Sequence, residues 1–533
     1  MIRDTLVTAL RASLTELGVA APAEVHLERP ARREHGDWSS NVALASAKAS
    51  GRKPRDLAGA LVENLNAAPP PHVERVEIAG PGFVNFHLRD TWLHEVLVDA
   101  VSAGEAAFAR PDLGQGLKVN VEFVSANPTG PLHAGGGRWA AYGDSLCRIL
   151  ERCGHVVHRE YYLNDRGVQM GLFGASLAAR RAGTDLPEDG YAGEYIREWA
   201  AEMPDDVDPA EWGYERVKAD LRASLGGIGV EFDTWFSERS LVDSGAIEAT
   251  LADLRAKGVV FEDDGAVWLR TTDFGDDKDR VLVKSDGEPT YLLPDIAYHR
   301  DKFARGHELL IDVWGADHHG YVKRLQAGVQ ALGHAPGELE IILGQLVSLV
   351  RGGEEVRLSK RAGTIVLLDD LVAAVGEDVA RLTFLLQSLD TRQTIDLDLI
   401  TAQSNENPVF YVQYANARIH SIGRRAAEAG IERAPLDAAD LSLLVHEREL
   451  DLLRKLSELP EVVALACVDR APHKVTTWVR ELADRFHGFY HDCYVIGDVP
   501  AELTQARLWL VEASRIGLAI GLDLLGVSAP ESM

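Results

Sequence analysis

The residues best suited to chemistry lie in a Pro/Gly-rich loop between a strand-like run at 119–124 and a helical run at 137–153. The loop contains Asn127 and His133, and three glycines follow shortly after. Ligands of open α/β sheets bind in such loops, and a helix N-terminus attracts anions. Glycines let a nucleotide approach the backbone closely. A bare glycine triplet would more often be a simple turn, but Asn127 and His133 at this spacing favour a nucleotide site.

A second candidate is the basic run Arg357-Leu358-Ser359-Lys360-Arg361, which follows a hairpin-like segment at 346–355. A lysine on a flexible loop can move onto phosphates and neutralise the charge that develops in a transition state. A short basic run by itself is usually a solvated turn. The two candidates therefore have to be considered together.

These loops need a scaffold, and the hydrophobic patterns predict three domains. Residues 1–115 mix helical patterns with a strand-like run at 82–88, which indicates a small α+β domain. Residues 116–404 contain strand–helix–strand units typical of a parallel sheet, with a polar, helical insertion at roughly 170–280. Residues 405–533 are helix-periodic throughout, which predicts an all-helical domain.

Composition restricts the partners and the compartment. The 533 residues exceed what one core usually serves, and no long apolar run predicts a membrane helix. The first 18 residues form an amphipathic helical pattern, not the apolar core of a signal peptide. The four cysteines are far apart in sequence, so we expect reduced thiols in the cytoplasm: Cys147, Cys153, Cys467 and Cys493.

The net charge of −27, from 55 basic and 82 acidic residues, works against nucleic-acid binding. Nucleic-acid affinity depends on neutralising phosphates with Lys and Arg. Either nucleic acid is not a partner, or basic residues are concentrated where it binds. Composition cannot decide between these alternatives, so the motifs have to.

Taken together, the two motifs resemble those of a known family. His133-Ala134-Gly135-Gly136 resembles the His-x-Gly-His signature of class I aminoacyl-tRNA synthetases, and 357–361 resembles their Lys-Met-Ser-Lys-Ser loop. Within that class the chain is similar to arginyl-tRNA synthetases almost throughout. The stretches that carry this resemblance are 35–41, 80–86, 125–133, 161–165, 279–284, 291–298, 314–321, 407–415 and 524–530.

The resemblance implies an α/β fold with a Rossmann-like catalytic domain, a tRNA-contacting N-terminal domain and a helical anticodon-binding domain. It implies ATP-dependent activation of L-arginine to arginyl-adenylate and transfer to the terminal ribose of tRNA(Arg), with tRNA bound before activation. ATP is expected to carry Mg²⁺, and no tightly bound protein-ligated metal is expected. We also expect a monomer that does not contact a membrane.

By the same resemblance, residues of the sheet domain acquire roles. Glu122, Tyr291 and Asp295 fall where the family contacts arginine, and a guanidinium does need carboxylates within bidentate reach. Asn127 and His318 match positions near the α-amino and α-carboxylate groups of the substrate. Without the resemblance, Asp295 would be read as a capping or salt-bridge carboxylate and Tyr291 as a core ring. The ATP-binding residues would be His133, Gly135, Gly136, Ser359 and Lys360, of which His133 and Lys360 are catalytic.

Two positions depart from the family pattern. Gly136 stands where the second histidine is usual, which removes one donor to the phosphates. Arg357 replaces the first lysine of the mobile loop, which keeps the charge but changes its geometry. Two other functions stay open: a class I ligase for another substrate, and an inactive RNA-binding paralogue. Carboxylates at Glu122 and Asp295 argue against the first, and Lys360 argues against the second.

The first helix of the C-terminal domain combines arginines and tyrosines, a mixture suited to phosphate contact and base stacking. Acidic residues outnumber basic ones between 405 and 533, so any basic face must be local. A solvated helix face with core tyrosines is the alternative for each residue. The candidate tRNA-binding residues are Tyr411, Tyr414, Arg418, Arg424 and Arg425, with Asn416 beside them.

Overall fold

The computed structural model describes residues 2–30, 32–356, 366–402 and 407–533. The chain forms two compact units. The first comprises residues 1–108, 421–458 and 484–517, and the second comprises residues 109–420, 459–483 and 518–533.

The N-terminal segment contains a four-stranded antiparallel sheet with strand order β1-β2-β4-β3. Leu6, Leu10 and Leu14 recur at helical spacing on α1 and are fully buried, which confirms the amphipathic helix. The elements are α1 Ile2–Glu16, β1 Leu27–Glu28, β2 Trp38–Ser40, α2 Val42–Ser50, α3 Pro54–Ala67, β3 Val73–Ala79, β4 Phe83–Leu88 and α4 Thr91–Ala107.

A five-stranded parallel sheet forms the centre of the second unit, with order β12-β11-β5-β6-β7. Its strands are β5 Lys118–Glu122, β6 Val156–Leu163, β7 Thr234–Ser237, β11 Leu309–Gly315 and β12 Leu339–Gly344, and an antiparallel sheet is formed by β8 Val260–Asp263, β9 Ala266–Leu269 and β10 Arg280–Val283. The helices of this part are α5 Ala134–Arg152, α6 Val168–Ala182, α7 Glu194–Glu202, α8 Pro209–Gly226, α9 Arg239–Asp243, α10 Ala246–Ala256, α11 Leu292–Ala304 and α12 Val322–Ala331.

The order of the parallel strands reverses at β5. The chain runs from β5 outward through β6 to β7, and then returns to β11 on the other side of β5. A crevice opens outside the carboxyl ends of the strands at such a switch point, and ligands of doubly wound sheets bind there. Glu122 ends β5 and Gly315 ends β11, so the residues that follow them border this crevice.

The segment predicted as a helical insertion at roughly 170–280 is only partly helical. It contains α6 to α10, but β7 joins the edge of the parallel sheet and β8 to β10 form the separate antiparallel sheet. The expectation of a purely helical insertion was therefore wrong. Strands of four residues are too short for their alternation to stand out from the helical periodicity on either side.

A second small sheet follows, in which β13 Val347–Arg351 pairs antiparallel with β14 Glu354–Val356 and parallel with β15 Gln393–Asp396. The predicted hairpin is confirmed. Gly352 and Gly353 form its turn with φ of 58° and 80°, angles that residues with a Cβ rarely adopt. The helices here are α13 Leu368–Val375, α14 Glu377–Phe384 and α15 Leu397–Thr401.

The remainder is helical, and the described residues from 407 onward contain no strand. The helices are α16 Pro408–Glu428, α17 Glu447–Leu456, α18 Leu459–Val468, α19 His473–Asp492 and α20 Ala501–Leu525. The four cysteines are buried free thiols. Across the described ranges, no helix is both long enough and apolar enough to cross a membrane.

Candidate active site

The loop after β5 is held in a strained conformation. Val124 and Ser125 have φ of 69° and 36°, which is costly for residues with a side chain. The Ser125 hydroxyl donates to Glu122 at 2.9 Å and accepts from the backbone N–H of Tyr162 at 3.0 Å. The loop is thus tied to the neighbouring strand β6, and the Glu122 carboxylate is fixed at the strand end.

His133 caps the N-terminus of α5. Its Nδ1 accepts a hydrogen bond from the backbone N–H of Gly136 at 3.0 Å, so the proton of the neutral imidazole lies on Nε2. A side chain that caps a helix in this way has a defined orientation. His133 is therefore held by the start of the helix.

The glycines after His133 serve internal packing. A Cβ at Gly136 would lie 2.5 Å from the Leu132 side chain, and one at Gly137 would lie 2.7 Å from Leu368 and Phe384. A Cβ at Gly135 would meet the His133 ring at 3.0 Å. These glycines let α5 pack closely against its surroundings, which is a different reason from the nucleotide approach inferred from the sequence. A histidine at position 136 would collide with Leu132 unless that leucine moved.

The structure brings the residues that follow the basic run next to the histidine loop. The N–H of Ala134 donates to the carbonyl of Val366 at 2.9 Å, and the N–H of Leu368 donates to the carbonyl of Leu132 at 2.9 Å. Ser359 and Lys360, with Arg357, lie outside the described residues. The chain immediately after the basic loop is thus hydrogen-bonded beside His133.

Asp295 lies on the first turn of α11, and Tyr291 is the residue at which that helix starts. The N–H of Asp295 donates to the carbonyl of Tyr291 at 3.2 Å, so the predicted i, i+4 relation exists. The Tyr291 side chain is 85% exposed, and the alternative of a core ring is wrong. The Tyr321 hydroxyl donates to the Asp295 carboxylate. Within the described chain, no Lys or Arg side chain forms an ion pair with that carboxylate.

Burial raises the pKa of Asp295 to about 6, although the hydrogen bond from Tyr321 acts against this. The nearby charges of Glu238 and Glu122 raise it further. Burial likewise raises the pKa of Glu238, whose carboxylate is hydrogen-bonded to the Tyr162 hydroxyl. Several carboxylates therefore repel one another here, and a positively charged ligand would relieve that repulsion.

Asn127 and His318 are both solvent-exposed. The Asn127 amide donates to the side-chain oxygen of Gln169 at 3.0 Å, and Nε2 of His318 lies 3.5 Å from a carboxylate oxygen of Asp317. The Trp314 ring lies edge-on to His318, with 6.0 Å between ring centroids. Their exposure would leave both side chains accessible to a substrate.

A buried ionic network contains Glu122, one of the two carboxylates predicted to contact arginine. Lys302 is fully buried, and its Nζ lies 2.6 Å from Glu122 and 2.9 Å from Asp312. His299 contacts the other oxygen of Asp312 at 2.8 Å. Glu122 was predicted as a substrate contact, and the structure shows that one of its oxygens is already paired.

Sequence reasoning missed Lys302, His299, Tyr321 and Glu238. A signal for two of them existed, because Asp295, His299 and Lys302 recur at i, i+4 and i+7 of one helix. Glu238 was missed because β7, which precedes it, was assigned to a helical insertion. Tyr321 comes close to Asp295 only through the fold.

The candidate tRNA-binding residues all lie on α16. Tyr411, Tyr414 and Arg418 follow i, i+3, i+7 spacing, and the Arg418 guanidinium lies 4.3 Å from the centre of the Tyr414 ring. Arg424 and Arg425 are exposed. Asn416 is buried and donates to the carbonyl of Pro530 at 2.9 Å, so it holds the C-terminal segment instead of facing a ligand.

The parallel sheet with its switch point at β5, and a His-x-Gly loop between β5 and α5, define a class I aminoacyl-tRNA synthetase. Three family models match the chain: the arginyl tRNA synthetase N-terminal domain at residues 4–88, the class I (R) catalytic domain at 98–188 and 230–416, and the DALR anticodon binding domain at 412–533. Among described residues, no group of three or more His, Cys, Asp and Glu side chains is arranged to hold a metal ion.

Known relatives agree with these matches. The chain is 49% identical to the arginine–tRNA ligase of Frankia alni, covering 100% of this chain and 99% of the relative. It is 48% identical to that of Kineococcus radiotolerans, covering 100% and 98%. The Thermus thermophilus arginyl-tRNA synthetase structure aligns over 100% of both chains with a TM-score of 0.79 and 23% identity, which supports the fold.

The chain belongs to the arginyl-tRNA synthetase family. It is an arginine–tRNA ligase that uses ATP, and both the predicted activity and the predicted fold class are confirmed. The family also resolves the conflict posed by the acidic composition, because a tRNA is a substrate despite the net charge of −27.

Proposed function

We propose that the guanidinium of L-arginine binds between Glu122 and Asp295, with Tyr291 at the rim. The observation that carries this proposal is the electrostatic state of the pocket. Glu122 and Glu238 both raise the pKa of Asp295, and among the described residues the carboxylate of Asp295 contacts a tyrosine hydroxyl and no Lys or Arg side chain. A guanidinium is always charged and supplies donors in a plane that matches carboxylates.

Such a pocket selects strongly for its substrate. A neutral side chain would leave the buried Asp295 carboxylate without a cationic partner, which is a large penalty. Asn127 and His318 are proposed to hold the α-amino and α-carboxylate groups at the exposed side of the pocket. This orientation would direct the carboxylate of arginine toward the His133 loop.

Around the His133 loop, we assign the binding of ATP to His133, Gly135, Gly136, Ser359 and Lys360. The Nε2–H of His133 and the first backbone N–H groups of α5 can donate to phosphate oxygens. Lys360 would neutralise the charge that develops on the phosphates. Mg²⁺ is proposed to arrive with ATP, since it is usually held by substrate phosphates together with one or two carboxylates.

The chemistry then needs no side-chain nucleophile. The arginine carboxylate attacks the α-phosphorus of ATP, the bond to the β-phosphate bridging oxygen breaks, and pyrophosphate leaves. The terminal ribose hydroxyl of tRNA(Arg) next attacks the carbonyl carbon of arginyl-adenylate, and AMP leaves with the electron pair of the broken bond. Positioning and charge neutralisation supply the acceleration.

We divide the work among three domains: 1–115 contacts tRNA, 116–404 catalyses both steps, and 405–533 binds the anticodon through α16. The candidate contacts on α16 are Tyr411, Tyr414, Arg418, Arg424 and Arg425. The exposure of Arg424 and Arg425 and the contact between half-buried Arg418 and Tyr414 support phosphate binding and base stacking on this helix. The match of 412–533 to an anticodon-binding domain is consistent with this division.

We further propose that the enzyme acts as a monomer in the cytoplasm. All the residues assigned to arginine come from one chain, so no second copy is needed to complete the pocket. Four cysteines held as thiols are typical of a reducing compartment. Sedimentation at enzyme concentrations used in activity assays tests the first point, and a stable dimer would contradict it.

The decisive experiment follows the exchange of labelled pyrophosphate into ATP with each amino acid, with and without tRNA. We expect exchange with arginine alone, and only when tRNA is present. Glu122→Gln and Asp295→Asn should raise the KM for arginine without changing the KM for ATP. An unchanged arginine KM in both variants would overturn the assignment of the pocket.

A further inference from the structure

Three carboxylates lie side by side in the parallel sheet. Asp312 on β11 is in register with Glu122 on β5, and Glu122 is in register with Glu160 on β6. All three are buried. Like charges in this arrangement destabilise a sheet unless cations are placed against them.

Two cations neutralise these carboxylates. Lys302 lies on α11, and Arg305 is the residue that follows the helix. Arg305 makes contacts of 2.6 and 2.8 Å with the two oxygens of Glu160. Against the effect of burial, this holds the pKa of Glu160 below its usual value. Lys302 is the cation shared by Glu122 and Asp312, at 2.6 and 2.9 Å.

The network continues from Asp312 to the helix turn that carries Asp295. The Nε2 of His299 lies 2.8 Å from the second oxygen of Asp312, and Nδ1 lies 2.7 Å from the backbone carbonyl of Asp295. A carbonyl oxygen only accepts, so Nδ1 is the donor there. An unbroken set of contacts therefore links the Glu122 carboxylate to the backbone of Asp295.

We propose that Lys302 is a positioning residue for arginine selection, which pairs with Glu122 and, through Asp312 and His299, fixes Asp295 relative to it. This inference rests on the proposed role of Glu122 and Asp295 in guanidinium binding. Lys302 contacts Oε2 of Glu122, while among the described residues Oε1 accepts from the Ser125 hydroxyl and retains capacity for a further donor. The substrate can therefore use Oε1.

The charge state of Glu122 depends on several groups. Burial raises its pKa, and Lys302 is the strongest influence in the opposite direction. Without Lys302, a buried carboxyl beside other carboxylates would hold its proton at neutral pH and lose most of its attraction for a guanidinium. The groups that face or influence Glu122 are Lys302, His299 and Tyr298 from α11, Asp295 at the start of that helix, Asp312 from β11, Tyr162 from β6 and Ser125 from the loop.

The test is Lys302→Met, which removes the charge and keeps the length of the side chain. We expect the KM for arginine at pH 7 to rise by about tenfold or more, because a carboxyl whose pKa lies about one unit above the assay pH is ionised in only about one tenth of the molecules. The KM for ATP should stay within about twofold, because the phosphates bind elsewhere. The arginine KM should recover toward the wild-type value as the pH is raised to 9.5, because Glu122 then loses its proton.

Two further variants isolate this effect. Adding Glu122→Gln to Lys302→Met should abolish the recovery at high pH, since glutamine does not titrate. Arg381→Met breaks a different buried ion pair of the same unit, with Asp144, and serves as a control for lost stability. It should lower the melting temperature but leave the arginine KM and its pH dependence unchanged.

If Lys302→Met does not fold, the charge-balanced pair Lys302→Met/Asp312→Asn replaces it, with the same expected rise in KM and recovery. A raised KM without recovery at high pH, or an unchanged KM, would overturn the role of Lys302. Glu122→Gln alone separates this failure from that of the pocket assignment. If that variant and Asp295→Asn both leave the arginine KM unchanged, the pocket assignment itself is wrong.

Discussion

The arginine side and the phosphate side of the proposed site are constructed differently. On the arginine side, Glu122 and Asp295 are positioned by buried side chains, with Lys302 and Asp312 completely enclosed. On the phosphate side, the described groups are a capping histidine and backbone N–H groups at the start of α5, and the lysine of the motif belongs to a separate part of the sequence.

The contrast follows from what each side must recognise. Selecting a guanidinium over neutral side chains needs carboxylates that stay fixed and desolvated, which only a buried network can ensure. Triphosphate binding needs donors and positive charge, and these can come from a helix start and a mobile cation. Substrate identity should therefore depend on the buried side, and the rate of the chemical step on the phosphate side.

The largest expected effect tests the phosphate side. Lys360→Ala should lower the rate of arginine activation by about 10²–10³-fold, because a charge that stabilises the transition state is lost. Arginine binding, measured by calorimetry in the presence of tRNA, should hardly change. Arg361→Ala removes the neighbouring cation as a control and should cost less. Equal losses in rate and in arginine affinity would erase the distinction between the two sides.

The next effect tests the arginine side. Asp295→Asn should lower kcat/KM for arginine by about 10²-fold or more, because a charge-assisted contact is lost. Burial already disfavours ionised Asp295, so the melting temperature of the substrate-free protein at pH 8 should not fall. Asp263→Asn, an exposed carboxylate of the same unit, is the matched control. A large loss of stability would instead identify Asp295 as a structural residue.

A pH dependence should sharpen the contrast. The pKa of Asp295 is about 6 without substrate, and a bound guanidinium would lower it by favouring the ionised form. Binding then releases a proton near this pH. Arginine affinity should be constant above about pH 7 and fall below pH 6, by at most about tenfold per pH unit. This dependence should disappear in Asp295→Asn, and its persistence would point to another titrating group.

The smallest effect concerns the basic side chains of α16. Arg418→Ala should weaken tRNA binding by several-fold and reduce the slope of log Kd against log salt by about one, as expected for a lost phosphate contact. Arg480→Ala, on an exposed position of α19, should leave both unchanged. Arginine affinity, which depends on buried charges, should vary little with salt. An arginine KM as salt-sensitive as tRNA binding would contradict the contrast.

Much of the scaffold could be predicted from sequence because its strands and helices are long enough to show their periods. The βαβ unit at β5, α5 and β6 is an example. The short strands β7 to β10 were missed because four residues show too little alternation. Because β7 was not predicted, Glu238, the residue that directly follows it, was not identified as a site residue.

Residue types and motif order alone determined the family, the two motifs and the carboxylates proposed for arginine. Only the tertiary structure decided that Asp312, Glu122 and Glu160 share a register, and that Lys302 lies between the first two. It also showed that a larger residue at position 136 would require Leu132 to move. Charge pairing across strands and close packing join residues far apart in sequence. No local pattern records such contacts, because they exist only once the sheet and its covering helix have assembled.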